Sequence, residues 1–198
     1  DLHCIASEIS MSGATPEVEY SYYDIVNQTQ DTSFIGFAIT SELQEERDLY
    51  IASVGYNDPN NQSVIPGLRK WTISSTGIDN MNELLNAGGN ITEEDFSAYT
   101  MEVKEVSGED ILAWITTNPS SIDKVFIYDE DNNDKYVHDL NLGRIGGIEF
   151  SGLNDSILYV SCRDTGIVAL NYFTGNIEEI VYSDANNNYR TTSLQTAP

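Results

Sequence analysis

Short apolar runs recur along this chain in groups of four, and this recurrence limits the fold more than any other feature of the sequence. The clearest group occupies residues 146–183 and consists of the runs GGIEFSG, SILYVSC, GIVALNYFTG and NIEEIVYS. Each run is rich in β-branched and aromatic residues and ends near Gly, Asn or Asp, which is typical of β-strands joined by tight turns. The group therefore predicts four consecutive antiparallel strands.

The same order of runs occurs upstream. Residues 98–142 contain AYTMEVKEV, DILAWIT, DKVFIYDED and KYVHDLNL, and residues 33–88 contain SFIGFAIT, DLYIASVG, LRKWTISSTG and MNELLNAG. The N-terminal unit begins one strand late, with DLHCIASEIS and EVEYSYYDIV. The positions that follow the third run of each unit are Asp24, Ile73, Asp129 and Asn171. Their spacing gives a repeat of about 49 residues, which is the size of a four-stranded propeller blade.

A repeat of this size predicts an all-β fold, namely a β-propeller of four-stranded antiparallel blades, with residues 1–198 as one propeller domain or a fragment of one. Runs such as ILYV and IVAL are apolar at every position, so neighbouring sheets should cover both faces of each blade. About four blades either close a small ring or belong to a larger one, and a β-sandwich is the alternative fold. The blade units are 1–32, 33–97, 98–143 and 144–185, with 186–198 as a candidate ring-closing strand.

The last unit resembles blades of the YVTN and quinoprotein-like β-propeller superfamilies. The matching positions are LYV at 158–160, Gly166, Val168, LN at 170–171 and TG at 174–175. Asn171 stands where these families usually have Asp, and LRKWTISSTG matches the pattern in part. The resemblance implies the fold alone and brings no catalytic residue with it.

One segment departs from the repeat. Residues 80–99, NMNELLNAGGNITEEDFSAY, have helix-like content, and 90–96 has the pattern of a single capped turn. We expect this segment to be an insertion between blades, on the rim.

The chain is strongly acidic. It carries 32 Asp and Glu against 9 Lys and Arg, a formal net charge of −23. Such a surface repels nucleic acid and anionic membranes and attracts cations or basic partners. No run of 18 apolar residues is present, so we expect no membrane span. The acidity favours an extracellular or cell-surface location, and because the chain begins at Asp1 rather than Met, we expect a processed or trimmed product.

The cysteines and the N-x-S/T sequons are consistent with an extracellular or cell-surface location but do not require one. Cys4 and Cys162 either form a disulfide or are two small buried apolar residues, since each lies in an apolar run. Four N-x-S/T sequons are candidate glycosylation sites, at Asn27, Asn61, Asn90 and Asn154. Their number is close to what the Asn, Ser and Thr content gives by chance.

Two Asn/Asp-rich loops are candidate calcium sites. YDEDNNDKY places oxygen ligands at alternate positions Asp129, Asp131 and Asn133, and YSDANNNY repeats this spacing with Asp184, Asn186 and Asn188. Ca²⁺ prefers such ligands, although Asp134 and Val137 depart from the Gly and acid that propeller loops of the integrin kind usually have. The alternative is an ordinary turn, because Asn and Asp tolerate left-handed φ and bond their own backbone. Calcium is the only cofactor that the sequence suggests.

No motif for a catalytic triad, zinc site or phosphate loop occurs, and His138 in KYVHDL reads as a partly exposed strand residue. We therefore expect a non-enzymatic extracellular or cell-surface module for assembly, adhesion or ligand binding, with protein or glycan partners or copies of itself. The alternative is a lactonase- or quinoprotein-like propeller enzyme with a metal or cofactor at the central channel.

Overall fold

The computed structural model describes residues 8–10, 17–19, 34–40, 46–54, 56–57, 63–64, 66–74, 77–78, 82–116 and 118–183. The described chain is all-β, as the runs predict, and its one helical element is a 3₁₀ turn, η1 (Glu93–Phe96). None of the described segments forms a helix of the length and apolarity that a membrane crossing requires.

The strands form three larger antiparallel sheets and two short pairs. β1 (Glu8–Ser10) pairs with β2 (Glu17–Glu19). The first sheet contains β3 (Phe34–Ile39) and β4 (Glu46–Ser53), and the chain then makes the short pair β5 (Tyr56–Asn57) and β6 (Ser63–Val64). It returns to the first sheet with β7 (Gly67–Ser74), β8 (Gly77–Ile78) and β9 (Asn82–Asn86).

The second and third sheets are simple four-stranded meanders. The second consists of β10 (Ala98–Val106), β11 (Glu109–Thr116), β12 (Lys124–Asp129) and β13 (Asp134–Asp139). The third consists of β14 (Ile145–Phe150), β15 (Ile157–Cys162), β16 (Gly166–Asn171) and β17 (Ile177–Ser183). In both sheets each strand pairs with the next along the chain, so the predicted four-strand repeat is confirmed here.

The first sheet differs in having five strands. Both β8 and β9 pair with β7: β8 lies opposite Ile73 and Ser74, whereas β9 lies opposite residues 67–70. The outer position, which one strand occupies in the other sheets, is therefore shared by two short strands. The predicted run MNELLNAG supplies the second of them.

The second sheet is apolar on both faces because its strands are apolar at successive positions. Ile111, Ala113 and Ile115 on β11 belong to a core cluster shared with the third sheet. Leu112 and Trp114, at the alternate positions, belong to a cluster shared with the first sheet. Since successive side chains of a strand point to opposite faces, the second sheet lies between the other two. A smaller cluster of Leu49, Ile51, Trp71 and Ile73 covers the other face of the first sheet.

The first strand of each sheet lies at a common seam. β10 contacts β3 of the first sheet and β14 of the third. Lys104 on β10 crosses to the third sheet, where its Nζ donates to the backbone oxygen of Ser151 at 2.6 Å and lies 2.8 Å from a carboxylate oxygen of Asp155. The three sheets thus approach each other most closely through their first strands.

The segment 80–99 is only partly as expected. Residues 82–86 form β9 rather than helix, but the capped turn at 90–96 is confirmed as η1. Asp95 accepts hydrogen bonds from the backbone N–H and the hydroxyl of Thr92, at 2.8 and 2.9 Å. Asp95 and Phe96 are buried, so this insertion covers the core between the first and second sheets instead of standing free on a rim.

Candidate functional site

A polar pocket of about 220 Å³ opens between the first and second sheets. The first sheet contributes Thr40, which follows β3, and residues of β4 and β7, while the second contributes residues of the two hairpin turns and their flanking strands. The lining residues are Thr40, Asp48, Lys70, Glu105, Gly108, Asp110, Glu130 and Asp131. Five of these eight are carboxylates and one is a cation, so the pocket concentrates the negative charge of the chain.

Lys70 holds two of the pocket carboxylates. Its Nζ lies 2.8 Å from an Asp48 carboxylate oxygen and 2.9 and 3.1 Å from the two oxygens of Glu130. Thr72 donates its hydroxyl to the other oxygen of Asp48 at 2.8 Å. The ammonium also lies 5.4 Å from the centre of the Tyr50 ring, within the range of a cation–π contact. Lys70 therefore bridges the first sheet to the turn that follows β12.

Tyr50 is buried and contacts two of the carboxylates that line this pocket. Its ring is fully buried between the first and second sheets, and its hydroxyl oxygen lies 2.5 Å from both Asp110 Oδ2 and Glu130 Oε2. The backbone N–H of Glu130 donates to the Asp110 carbonyl at 3.2 Å, which keeps the two carboxylates side by side. One phenol thus meets two carboxylates, one from β11 and one from the turn after β12.

The electrostatics follow from burial and these contacts. Burial, together with hydrogen bonds to Asp110 and Glu130, raises the pKa of Tyr50 far above its ordinary value, so the phenol keeps its proton. Burial also raises the pKa of Asp110, although the Tyr50 hydrogen bond and the Lys70 charge oppose it. Burial would lower the pKa of Lys70, but the hydrogen bonds with Asp48 and Glu130 outweigh it and raise the pKa. Asp110 therefore holds its proton more tightly than an exposed aspartate does.

The predicted calcium loop at 129–134 closes as a turn. Asp129 is buried, and its two carboxylate oxygens accept from the backbone N–H and the side-chain amide of Asn132, at 3.2 and 2.9 Å. Asn133 has a left-handed φ of 51° and accepts from the Tyr128 hydroxyl at 3.2 Å. Asp131 is exposed and lines the pocket. The three predicted ligands therefore have different contacts: Asp129 bonds to Asn132 within the turn, Asn133 bonds to Tyr128, and Asp131 lines the pocket.

Calcium at this loop stays a prediction. Among the described residues, no group of three or more His, Cys, Asp or Glu side chains has an arrangement that could hold a metal ion. The second predicted loop, with Asp184, Asn186 and Asn188, lies outside the described residues, as does the candidate closing strand 186–198.

The remaining predicted residues are scattered. Asn90 and Asn154 are exposed, whereas Asn27, Asn61 and Cys4 lie outside the described residues. Cys162 is buried in the core cluster shared by the second and third sheets, and burial raises the pKa of its thiol to about 12. A bridge would require Cys4 to enter this apolar layer, because a disulfide joins Cα atoms only a few ångströms apart. His138 is a half-buried residue of β13, as expected, and contacts the Tyr172 carbonyl at 2.6 Å.

A second surface feature is the outer strand of the third sheet. Every residue of β17 is exposed, including Ile177, Ile180, Val181 and Tyr182. Ile177 and Ile180 lie directly opposite Leu170 and Val168, so they extend the core-facing side of the sheet outward without cover. Among the described strands, β17 pairs with β16 alone, and its other edge meets no described strand. We call β17 with these side chains the apolar edge.

Sequence reasoning identified Asp131 of this pocket only as a candidate calcium ligand and missed the group around Tyr50. Tyr50, Lys70, Asp110 and Glu130 lie in runs that predict strands and turns, and nothing in their local spacing connects them. Tyr50 is 60 residues from Asp110 and 80 from Glu130 in the chain. Only the packing of the first sheet on the second brings them together.

A scan against protein-family models finds no match, and a search of curated proteins finds none. The likeness to propeller blades therefore depends on the repeat itself and on the motif in the third sheet.

Proposed function

We propose that this chain is a non-enzymatic module of the extracellular space or cell surface, built as part of a β-propeller, which binds a protein partner along its apolar edge. The exposed strand β17 is the observation that carries the proposal. The propeller arrangement draws support from the second sheet, which is covered on both faces, and from the seam of first strands. A two-layer sandwich would leave one face of every sheet open to solvent.

The apolar edge differs from the equivalent strand of the second sheet. β13 contains Tyr136 and Val137, and both pack against core clusters, so it presents no large exposed apolar side chain. On β17, by contrast, Ile180 is 55% exposed and Tyr182 is 47% exposed. A contiguous exposed apolar strand at a sheet edge is the usual template for pairing with an added strand.

The chemistry of the partner follows from charge. Two copies of a chain with a net charge of −23 repel each other at long range, whereas a basic segment is attracted. Glu178 and Glu179 are the charged residues of β17, and their exposed carboxylates would lie beside the side chains of an added strand. The partner is therefore an extended protein segment that alternates basic and apolar residues. The exposed sequons at Asn90 and Asn154 are compatible with a location outside the cell.

A synthetic strand tests the proposal directly. The probe is an octapeptide of alternating lysine and valine, and its affinity is measured by fluorescence anisotropy at low and moderate salt. Comparison peptides carry proline at the centre, which blocks strand pairing, or glutamate in place of lysine. We expect the proline and glutamate peptides to bind at least about tenfold more weakly, because they lack ladder hydrogen bonds and charge complementarity respectively.

Variants of the chain locate the binding. The double variant Ile180→Ser/Tyr182→Ser should weaken binding of the lysine–valine peptide by about tenfold, since it removes the apolar contacts without changing charge. The matched control is Leu153→Ser, which removes a fully exposed apolar side chain outside β17. If the control and the double variant lower the affinity equally, or if the proline peptide binds as well as its parent, the proposal is wrong.

A further inference from the structure

The Tyr50 hydroxyl makes two short contacts with carboxylates, and these contacts need more than one proton. A phenol carries one proton and can donate only one hydrogen bond of this strength. Its oxygen nevertheless lies 2.5 Å from an oxygen of Asp110 and 2.5 Å from an oxygen of Glu130. If both carboxylates were ionised, one of these two short contacts would join oxygens with no hydrogen between them. A second proton is therefore needed to satisfy both contacts.

The contacts of Lys70 indicate which of the two carboxylates carries the second proton. Its ammonium donates to both oxygens of Glu130, at 2.9 and 3.1 Å, so Glu130 acts as an acceptor in these contacts. Asp110 has no such direct cation contact among the described residues. The arrangement that satisfies every group has the Tyr50 hydroxyl donating to Glu130 while a protonated Asp110 donates to the Tyr50 oxygen.

We propose that Tyr50, Asp110 and Glu130 form a shared-proton clamp between the first and second sheets, which closes when Asp110 takes a proton from solvent and loosens when that proton leaves. Tyr50 belongs to β4 of the first sheet, while Asp110 and Glu130 belong to β11 and to the turn after β12 of the second. The clamp needs only the packing of these two sheets and does not depend on the partner proposed for the apolar edge.

The surroundings oppose loss of the proton from a closed clamp. Around it stand Asp48 on β4, Lys70 on β7, Glu105 on β10 and Asp131 beside Glu130. When Asp110 ionises, it adds a negative charge to a pocket in which Lys70 is the only cation among the lining residues that the structure describes. Like charges at this separation repel, and the Tyr50 hydroxyl can then satisfy only one of its two neighbours. The first and second sheets should therefore separate more easily at the pocket.

The sign of the pH dependence follows from the direction of the Asp110 pKa. Burial raises this pKa in the folded protein above its ordinary value of about 3.9. A group with a raised folded pKa binds its proton more tightly when folded, so it stabilises the fold most below the ordinary value. This stabilisation is lost as the pH rises through the folded pKa.

A second buried carboxyl with a raised pKa must be removed from the experiment. Burial, with a contribution from the charge of Glu149, raises the pKa of Glu102 on β10 to about 7. All proteins in the test therefore carry Glu102→Gln. The free energy of unfolding is measured with urea at several values between about pH 4 and about pH 8.

Three variants in this background identify the clamp. The amide of Asp110→Asn imitates the protonated acid and keeps a donor for Tyr50. Between about pH 4 and about pH 8, we expect the unfolding constant of this variant to change about tenfold less than that of the Glu102→Gln parent. Tyr50→Phe removes the oxygen that the clamp shares but leaves Asp110 buried, so it should lower the free energy of unfolding at about pH 4 while the pH dependence remains. Glu130→Gln should retain the dependence, since Asp110 still titrates. If Asp110→Asn retains the full dependence, or if Glu130→Gln alone abolishes it, the clamp as assigned is wrong.

Infrared spectroscopy gives a readout that does not require unfolding. A protonated carboxylic acid has its own carbonyl band, separate from that of a carboxylate. In the Glu102→Gln background we expect an acid band that persists to higher pH than the bands of exposed carboxyls and that is absent from Asp110→Asn. Folded Asp110→Asn protein with an unchanged band would overturn the proposal.

Discussion

The indole of Trp114 donates a hydrogen bond from Nε1 to the backbone oxygen of Asp95, 3.1 Å away. This bond joins β11 in the second sheet to η1, the turn that covers the core between the first and second sheets. The Trp114 ring is fully buried and lies between the rings of Phe96 and Phe126, with centroids 6.1 and 5.3 Å away and nearly parallel planes. Trp114 therefore combines an apolar stack with a hydrogen bond that joins the turn to β11.

Trp114→Phe should lower the free energy of unfolding by about 1–3 kcal/mol more than a matched substitution, because it leaves the buried Asp95 carbonyl without its donor. The matched variant is Trp71→Phe. Trp71 is equally buried, but its Nε1 has no hydrogen-bond partner in the described structure, so removing it exposes no orphaned acceptor. Urea unfolding measures both. Equal losses would show that the Trp114–Asp95 bond contributes nothing beyond packing.

Asp95 should make the fold sensitive to strong acid. Burial alone would raise the pKa of its carboxyl, but hydrogen bonds from Thr92, Asn118 and Ser121 outweigh burial and lower it. A lowered folded pKa stabilises the protein above the ordinary aspartate value of about 3.9 and loses that contribution as the pH falls through the folded value. We expect Asp95→Asn to unfold more easily at neutral pH and to lose less stability than the parent below about pH 4. The control is Glu93→Gln, which removes a charge from an exposed residue of the same turn, and an equal effect of the two variants would contradict the prediction.

Gly67 lies at the start of β7, where β9 approaches closely. A Cβ at this position would come nearer to the backbone oxygen of Leu85 than real Cβ atoms do, and would also meet the Asn86 side chain at 2.9 Å. Since a backbone carbonyl cannot move aside cheaply, Gly67→Ala should destabilise the protein by about 1–3 kcal/mol. Gly152→Ala is the control, because a Cβ there meets nothing within 4 Å. Thermal unfolding of the two variants measures the difference in stability. Similar melting temperatures would show that β9 can shift away from the new Cβ without loss of stability.

The turn between β16 and β17 shows why part of the fold could be predicted from the sequence. Asn171 accepts a hydrogen bond from the backbone N–H of Thr174 at 3.1 Å, and Gly175 adopts a left-handed φ of 76°. These are local requirements: an Asn or Asp side chain that can accept from the backbone, followed by a residue that tolerates positive φ. Asn171 meets the first as the usual Asp would. The motif that resembles propeller blades therefore predicts the hairpin correctly from neighbouring residues alone.

The loop at 129–134 has a feature that local sequence patterns do not predict, namely the direction of the Asp129 carboxylate. An Asn/Asp-rich loop with oxygens at alternate positions has one sequence pattern for two structures, a cation site and an Asx turn. The backbone geometry after β12 directs the Asp129 carboxylate into the turn, toward Asn132. Spacing could not predict that direction, because it depends on how β12 and β13 end.

What the sequence by itself determined is the order of the strands, their turns and the need of the second sheet for cover on both faces. Strand period and turn chemistry act over a few residues, so they can be read along the chain. The packing of the first sheet on the second was decided only in three dimensions, and with it the meeting of Tyr50, Asp110 and Glu130. Their short contacts join residues 60 and 80 positions apart, where no local preference operates and the fit of two apolar faces sets which polar groups are buried together.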